Sequence, residues 1–218
     1  MFDDLGVVNT GRGLVARDDE SLEQVRLAAV SPNFFRMLGA HIILGRDFTE
    51  ADGQPQAAGQ SLPQTAVVSC EYWQRRFGAS PAVLVRQIHG PGRADIQIVG
   101  VLAPCFELLF PPDAEVETQP DIWTAARLAY DNANRNQVAW RVIGRLKPGV
   151  TRERVQKAVD RVAAELRRNF VIRETAGSYI RLEPMRFDRG SLRLLQIPMR
   201  AYGACSRYFR TNNTVAAN

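Results

Sequence analysis

The chain is poor in the residue types that carry most catalytic and metal chemistry. Its 218 residues include 3 cysteines, 2 histidines and only two lysines, Lys147 and Lys157. Neither lysine is followed by Ser or Thr, as a phosphate-binding P-loop requires. His41 stands beside an apolar run and His89 in a turn, where structural roles are favoured over catalytic ones. The sequence therefore predicts that the chain is not an ATPase, and it offers no catalytic residue.

The few cysteines also argue against a metal or cofactor site. Cys70, Cys105 and Cys205 are far apart, whereas zinc sites need closely paired ligands and disulfide frameworks need more cysteines. Gly-x-Ser-x-Gly and His-Glu-x-x-His motifs are absent. We expect no catalytic, cofactor-binding or metal-binding residues. Two fates of Cys70 and Cys105 stay open, a disulfide in an oxidising compartment or simple burial, and burial is favoured.

Long apolar runs are missing as well. No stretch of 18 or more apolar residues occurs, and the N-terminus lacks the basic segment and apolar core of a signal peptide. By itself, this polypeptide is therefore expected neither to span a membrane nor to direct its own export.

Acidic residues are absent after Asp188. Residues 1–188 carry 23 basic and 23 acidic groups, so the net charge of +5 resides in the last thirty residues. The basic residues there are Arg189, Arg193, Arg200, Arg207 and Arg210. The segment 189–218 is read as a disordered or out-of-frame tail. The alternative is weak nucleic-acid binding, because arginines interleave with Tyr202, Tyr208 and Phe209.

The most informative stretch runs from Val25 to Asp52. Val25–Val30 is a short apolar run with β-branched ends, which predicts a buried strand. Ser31 and Pro32 then form a helix-start signature, a capping hydroxyl followed by a residue with no N–H. A short helix, Asn33–Leu38, is predicted to bury Phe34, Phe35 and Leu38 and to end at Gly39. A second strand, Ala40–Leu44, leads into an acidic loop.

The flanking residues predict a hairpin and a strand–helix unit. Leu14–Ala16 and Val25–Val30 would pair across a turn at Arg17–Glu20, whereas Met1–Gly13 shows only weak pattern. Thr65–Ser69 is predicted as a strand and Cys70–Phe77 as a helix that offers Tyr72, Trp73 and Phe77 to the core.

The rest of the chain alternates short elements with turns. Ser80 and Pro81 repeat the helix-start signature. An apolar cluster at Phe106–Phe110 is read as a buried loop anchor, with an exposed partner-binding patch as the alternative. The predicted strands are Gln87–Ile88, Ile96–Leu102, Trp140–Leu146 and Tyr179–Met185, and Ala125–Asn136 is read as a polar helix or loop. Thr151 should cap an amphipathic helix to Phe170, whose apolar face packs against a sheet.

Five sequence blocks occur in an order that resembles a known family. They read VSPNFFRMLGAHIILGRDFTEADG, VVSCEYWQRRFGASPAVLVRQI, IVGVLAP, DIWTA and GRLKPGVTRERVQKAVDRVAAEL. Together they resemble the MacB-like periplasmic core domain of FtsX-like ABC transporter permeases, over roughly Gly11 to Asp188. Five blocks in the right order are more specific than any one alone.

The pattern of interleaved strands and helices predicts an α+β fold, a mixed sheet with packed helices. The resemblance adds that residues 1–188 form the core domain, with a porter-like βαβ subdomain and an inserted β-rich subdomain at roughly 52–131. It also implies that the domain is N-terminally incomplete and that the chain is a fragment lacking the permease's membrane helices.

The resemblance implies a coupling function rather than catalysis. Such a domain lies outside the cytoplasmic membrane, and a separate ABC ATPase drives its motion through the permease's membrane helices to export cargo or transmit mechanical work. The implied partners are that ATPase, those helices and a second permease in a homodimer, with no nucleic acid. A truncated copy would be inactive. The alternative from a different class is a free-standing soluble binding or scaffold module.

Overall fold

The architecture is a mixed eight-stranded sheet with helices on its two faces. The computed structural model describes residues 1–56, 63–91, 95–108, 110, 116–128, 140–169 and 182. The strands are β1 (Phe2–Ala16), β2 (Leu22–Val30), β3 (Ile42–Gly45), β4 (Gln64–Val68), β5 (Gln87–Ile88), β6 (Ile96–Leu102), β7 (Ile122–Ala125) and β8 (Arg141–Leu146). The α-helices are α1 (Phe34–Leu38), α2 (Cys70–Phe77) and α3 (Arg152–Asn169), and 3-10 turns cover Glu50–Gly53 and Pro81–Val85.

The sheet mixes parallel and antiparallel neighbours. Its strand order is β3-β6-β4-β7-β2-β1-β8, with β5 paired to β6 beside this path. β2 is parallel to β7 and β4 is parallel to β6, whereas every other described pair is antiparallel. This arrangement confirms the predicted α+β class with a mixed sheet. Strands from within 52–131 and from outside it share the one sheet, and the division into subdomains stays a prediction.

Two apolar cores lie on opposite faces of the sheet, because successive side chains of a strand point to opposite sides. In β4, Val67 belongs to one core, and Ala66 and Val68 belong to the other. The first core contains Phe34, Phe35 and Met37 of α1, and the second contains Cys70, Tyr72 and Trp73 of α2. Each helix therefore covers one face, and the central strands are buried on both sides.

A β-bulge in β6 moves the strand's side chains from one face to the other. Ala66 pairs with Ile98, but the next residue of β4, Val67, pairs with Gly100, so Val99 is an extra residue in β6. As a result Ile98 and Val101, which are three residues apart, both contribute to the core under α2. Regular alternation would have placed them on opposite faces.

The first strand corrects the sequence prediction. Met1–Gly13 shows only weak pattern in the sequence, yet β1 extends over 15 residues from Phe2 to Ala16. Its first half pairs with β8 and its second half with β2, so each half has a strand partner on one of its two edges. The predicted hairpin is present, and Leu14–Ala16 pairs with Leu22–Gln24, which precedes the residues named from the sequence.

The start of α1 also differs from the prediction. The N-cap position is Asn33 and not Ser31, and no side chain caps the helix. The Ser31 hydroxyl instead accepts a hydrogen bond from the N–H of Val7, and the Asn33 side chain donates to Asp4 and to the Leu5 carbonyl. Both polar groups thus tie the helix start to β1. The second Ser-Pro pair does cap, because the Ser80 hydroxyl accepts from the N–H of Ala82.

Several local predictions are confirmed. α2 covers the predicted Cys70–Phe77, the Thr151 hydroxyl accepts from the N–H of Arg154 at the start of α3, and Leu108 is buried beside Phe106 and Phe110 under the first core. α3 buries Val155 and Ala163 but exposes Val162, which was placed on its apolar face. The predicted strand Tyr179–Met185, apart from Leu182, most of Ala125–Asn136 and the tail 189–218 lie outside the described residues.

The acidic loop after β3 is an ordered turn built around Asp52. The Asp52 carboxylate is buried and accepts two hydrogen bonds from the Arg46 guanidinium, at 2.7 and 3.1 Å. It also accepts from the N–H and the hydroxyl of Thr49, which closes a capping box on the Glu50–Gly53 turn. Burial alone would raise the pKa of Asp52, but the Arg46 and Thr49 donors outweigh it and lower the pKa to about 2.

We predict that replacing Asp52 with asparagine lowers the free energy of unfolding at neutral pH by about 1–2 kcal/mol, discounted because Arg46 is half exposed. A carboxylate with a lowered pKa stabilises the fold fully above its ordinary pKa of 3.8. That contribution disappears as pH falls towards about 2. Urea unfolding should therefore give different free energies of unfolding for the natural chain and the variant at neutral pH, and this difference should disappear over the same pH interval. Glu50→Gln, in the same turn with an exposed side chain, should change stability by less than about 0.5 kcal/mol. A difference in the free energy of unfolding that persists at pH 2 would contradict the prediction.

Candidate functional site

The most concentrated chemistry in the described chain is an ion-pair cluster where the β1–β2 hairpin tip meets α2. We use "ion-pair cluster" for Arg17, Asp18, Glu23, Arg26, Arg75, Arg76, Arg86 and Asp121. Its members come from the hairpin, from α2, from the residue after the Pro81–Val85 turn and from the residue before β7. The cluster therefore connects segments that are up to 104 residues apart in the chain, from Arg17 to Asp121.

Asp121 is the innermost member, with only 4% of its side chain exposed. Arg26 gives it three hydrogen bonds, from its backbone N–H and from two guanidinium nitrogens, at 3.0–3.1 Å. Arg75 of α2 adds a fourth at 3.2 Å. Burial alone raises the pKa of Asp121, but the Arg26 donors outweigh it, so the pKa lies below its ordinary value. The pair exists because β2 and β7 are parallel neighbours in the sheet.

Glu23 lies between the inner and outer members of the ion-pair cluster, and its carboxylate faces three arginines. Its carboxylate lies 3.4 Å from Arg17, 3.8 Å from Arg75 and 3.7 Å from Arg76. Arg75 is 52% exposed, but Arg76 is only 16% exposed, because the hairpin tip covers its side chain. The sequence reasoning missed this cluster, since no local pattern signals a pairing between residues so far apart.

Asp18 forms the outer layer at the hairpin tip. One carboxylate oxygen accepts from Arg76 at 3.2 Å and the other from Arg86 at 2.9 Å. The hydrogen bond from Arg86 is the main reason that the pKa of Asp18 lies below its ordinary value. The Asp18 side chain is nevertheless 71% exposed, so water competes for both arginines.

A cavity of about 170 Å³ opens beside this outer layer, and we call it the arginine cleft. Its polar lining includes Arg17, Asp18, Tyr72, Arg76 and Arg86. A second cavity of about 160 Å³ adjoins it and shares Asp18, Arg76 and Arg86. The Tyr72 hydroxyl is buried beside Arg76 and has no hydrogen-bond acceptor within the described chain, and burial raises the pKa of Tyr72 to about 12.

The residues weighed for chemistry in the sequence are dispersed. His41 is exposed, and Nδ1 of His89 lies 2.7 Å from an Asp95 carboxylate oxygen at the surface. Cys70 is buried, Cys105 is exposed, and the two are not bridged. Within the described residues no group of His, Cys, Asp and Glu is arranged to hold a metal ion. The structure does not bring these side chains together, and the expectation of no catalytic or cofactor residue stays a prediction.

The fold carries no described helix that is both long and apolar enough to cross a membrane. The profile of the MacB-like periplasmic core domain family matches residues 5–162, most of the chain. The chain belongs to this family, as its sequence blocks indicated. Comparison with curated protein sequences finds no significant match.

Solved structures share the fold at low sequence identity. The periplasmic region of MacB from Actinobacillus actinomycetemcomitans is 12% identical with a TM-score of 0.54, covering 76% of this chain and 67% of that chain. The extracellular domain of YknZ, a noncanonic ABC-type transporter from Gram-positive bacteria, is 14% identical with a TM-score of 0.52 and covers 79% of each chain. The chain thus shares the fold of these periplasmic and extracellular domains, in agreement with its membership of the MacB-like periplasmic core domain family.

Proposed function

We propose that this domain works outside the cytoplasmic membrane as the coupling domain of an ABC transporter permease. In this role a separate ABC ATPase hydrolyses ATP, and permease membrane helices pass the resulting movement to the domain, which acts on exported cargo or on a partner. The match of the family profile over residues 5–162 is the observation that carries the proposal. The likeness to the MacB and YknZ domains supports it at the level of fold.

The packing of the described sheet supports movement as one body. Central strands are buried on both faces, and the ion-pair cluster links the β1–β2 hairpin to α2 and to the start of β7. Closely packed cores transmit displacement with little internal deformation. Coupling by such a domain would therefore be a rotation or translation between states that ATP populates differently.

The location is tested by labelling Cys105 with a membrane-impermeant maleimide in spheroplasts that produce the transporter. Cys105 is exposed and Cys70 is buried, so the chain provides its own control. We expect a Cys205→Ser variant to label without lysis, because Cys105 would face the outside. Cys105→Ser,Cys205→Ser, which retains Cys70, should label only after denaturation. Labelling of Cys105 that requires a permeabilised membrane would refute the location.

Coupling is tested by spin-label distances in the full transporter with its ATPase. Val142 on β8 and Val85 beside β5 are both exposed, and they lie towards opposite ends of the sheet. From β6 to β8 there are five strand spacings, or about 24 Å, which suits the measurement. We expect the 85–142 distance within one domain to stay constant when ATP hydrolysis is trapped, while the 85–85 distance between two permeases of a homodimer changes.

Two results would contradict coupling by rigid-body movement. A change in the 85–142 distance on trapping would mean that the domain deforms internally. An unchanged 85–85 distance in a dimer whose ATPase is demonstrably trapped would mean that the domain does not move with the ATPase cycle.

A further inference from the structure

The arginine cleft has more positive than negative charge on its walls. Three guanidinium groups, of Arg17, Arg76 and Arg86, line it, whereas Asp18 is the single carboxylate among its lining residues. Glu23 contacts Arg17 and Arg76 from outside the cleft lining, and Asp19 lies near Arg17 at the hairpin tip. Guanidinium groups are suited to carboxylate and phosphate because they present paired N–H donors in a fixed plane.

The Tyr72 hydroxyl is an independent sign of a missing partner. Tyr72 is fully buried and lines the cleft, and although Arg76 approaches its hydroxyl oxygen, the O–H group has no hydrogen-bond acceptor within the described chain. Buried hydroxyls nearly always have a partner, since leaving one unsatisfied costs free energy. An oxyanion in the cleft would supply an acceptor for this O–H group.

We propose that the arginine cleft is a binding site for a small oxyanion, a carboxylate or a phosphate group, whose place the Asp18 carboxylate takes when no anion is bound. This assignment goes beyond the coupling role and does not depend on it. The volume of about 170 Å³ suits a small anion, because drug-sized ligands occupy pockets of roughly 300 Å³ or more.

Asp18 is suited to be displaced. It holds the two arginines with single hydrogen bonds, it is mostly exposed, and it lies in the turn between β1 and β2. An incoming oxyanion would take the Arg76 and Arg86 donors, and the Asp18 carboxylate would turn into water. The carboxylates of Asp121 and Glu23 are largely buried behind the cleft and would not be displaced. They would therefore keep Arg26 and Arg75 in place.

Calorimetric titration of the full 218-residue chain tests the proposal, with inorganic phosphate in one series and succinate in another at constant ionic strength. We expect saturable binding of at least one of them with a Kd of roughly 1 mM or tighter. Preference for phosphate would identify the ligand group as a phosphate, and preference for succinate as a carboxylate.

Four variants make the result specific to the cleft. Arg86→Gln should weaken binding at least fivefold, and Tyr72→Phe should weaken it about threefold by removing one donor. Asp18→Asn should tighten binding, because the competing carboxylate loses its charge. Arg36→Gln removes an exposed charge paired with Glu50, away from the cleft residues, and should leave the Kd unchanged.

The opposite signs of Asp18→Asn and Arg86→Gln keep the test decisive even if one variant folds poorly. Absence of saturable binding by both the natural chain and Asp18→Asn would overturn the proposal. So would an equal loss of affinity in Arg36→Gln and Arg86→Gln, since that result indicates only a general attraction of anions to positive charge.

Discussion

Replacing Phe35 with alanine is expected to lower the free energy of unfolding by about 3–5 kcal/mol, the range for a fully buried aromatic side chain. Phe35 has no exposed surface and is the centre of the aromatic contacts in the first core. Its ring stacks on Phe48 at 5.7 Å and meets Trp123 edge-on at 5.3 Å, with further edge contacts to Phe34 and Phe106. Alanine would leave a cavity between α1, the loop before the Glu50–Gly53 turn and the sheet.

Urea unfolding monitored by Trp fluorescence measures this loss. The control is Leu22→Ala on β2, whose side chain is 54% exposed and should cost less than about 1 kcal/mol. Phe35→Leu should fall between the two, because it retains part of the buried volume. A loss below about 1 kcal/mol in Phe35→Ala would show that this core collapses around the gap or does not depend on the ring.

The second large effect is expected for Gly100→Ala in β6, which should cost about 2–4 kcal/mol through overpacking. A Cβ added to Gly100 would lie closer than 3.0 Å to the backbone carbonyl oxygen of Arg46, with Ile42 also in tight contact. Backbone cannot rotate away as a flexible side chain can. Gly45, opposite Gly100 on β3, has a φ of +76°, so neither residue of this antiparallel pair tolerates a side chain.

Gly11→Ala in β1 is a matched control for the same chemical change. Gly11 also lies in a strand, its φ is not positive, and a Cβ there meets no atom within 4 Å. Alanine at this position should be neutral or slightly stabilising, since glycine loses more backbone freedom on folding. Thermal unfolding of the two variants gives the comparison, and equal melting temperatures would refute the overpacking argument.

The elements that depend on local chemistry were predictable from the sequence. The helix Cys70–Phe77 begins with a Ser69 cap and ends at Gly78 in the left-handed conformation, and both signals are visible in the sequence. β1 was missed because it contains Asp3, Asp4 and several glycines, which do not favour a strand. It forms because β2 and β8 supply hydrogen-bond partners along its two halves, and this tertiary pairing overrides local preference.

The ion-pair cluster was not predictable for a related reason. Arg26 and Asp121 are 95 residues apart, and only the parallel pairing of β2 with β7 brings them together. The burial of Arg76 could not be predicted either, because it depends on the hairpin tip that covers it and not on its position in the pattern of α2. Family resemblance identified the fold, but the cleft depends on charges whose pairing only the assembled sheet defines.

The length of the first strand has a mechanical consequence. Phe2 of β1 pairs with Leu146 of β8, so the chain enters and leaves this part of the sheet at adjacent points. β1 extends about 50 Å from there, at roughly 3.4 Å per residue, to the turn that contains Asp18. A pull along its axis loads the hydrogen bonds to both neighbouring strands together, in shear. A force along this strand is therefore resisted by two neighbouring strands, β8 along its first half and β2 along its second.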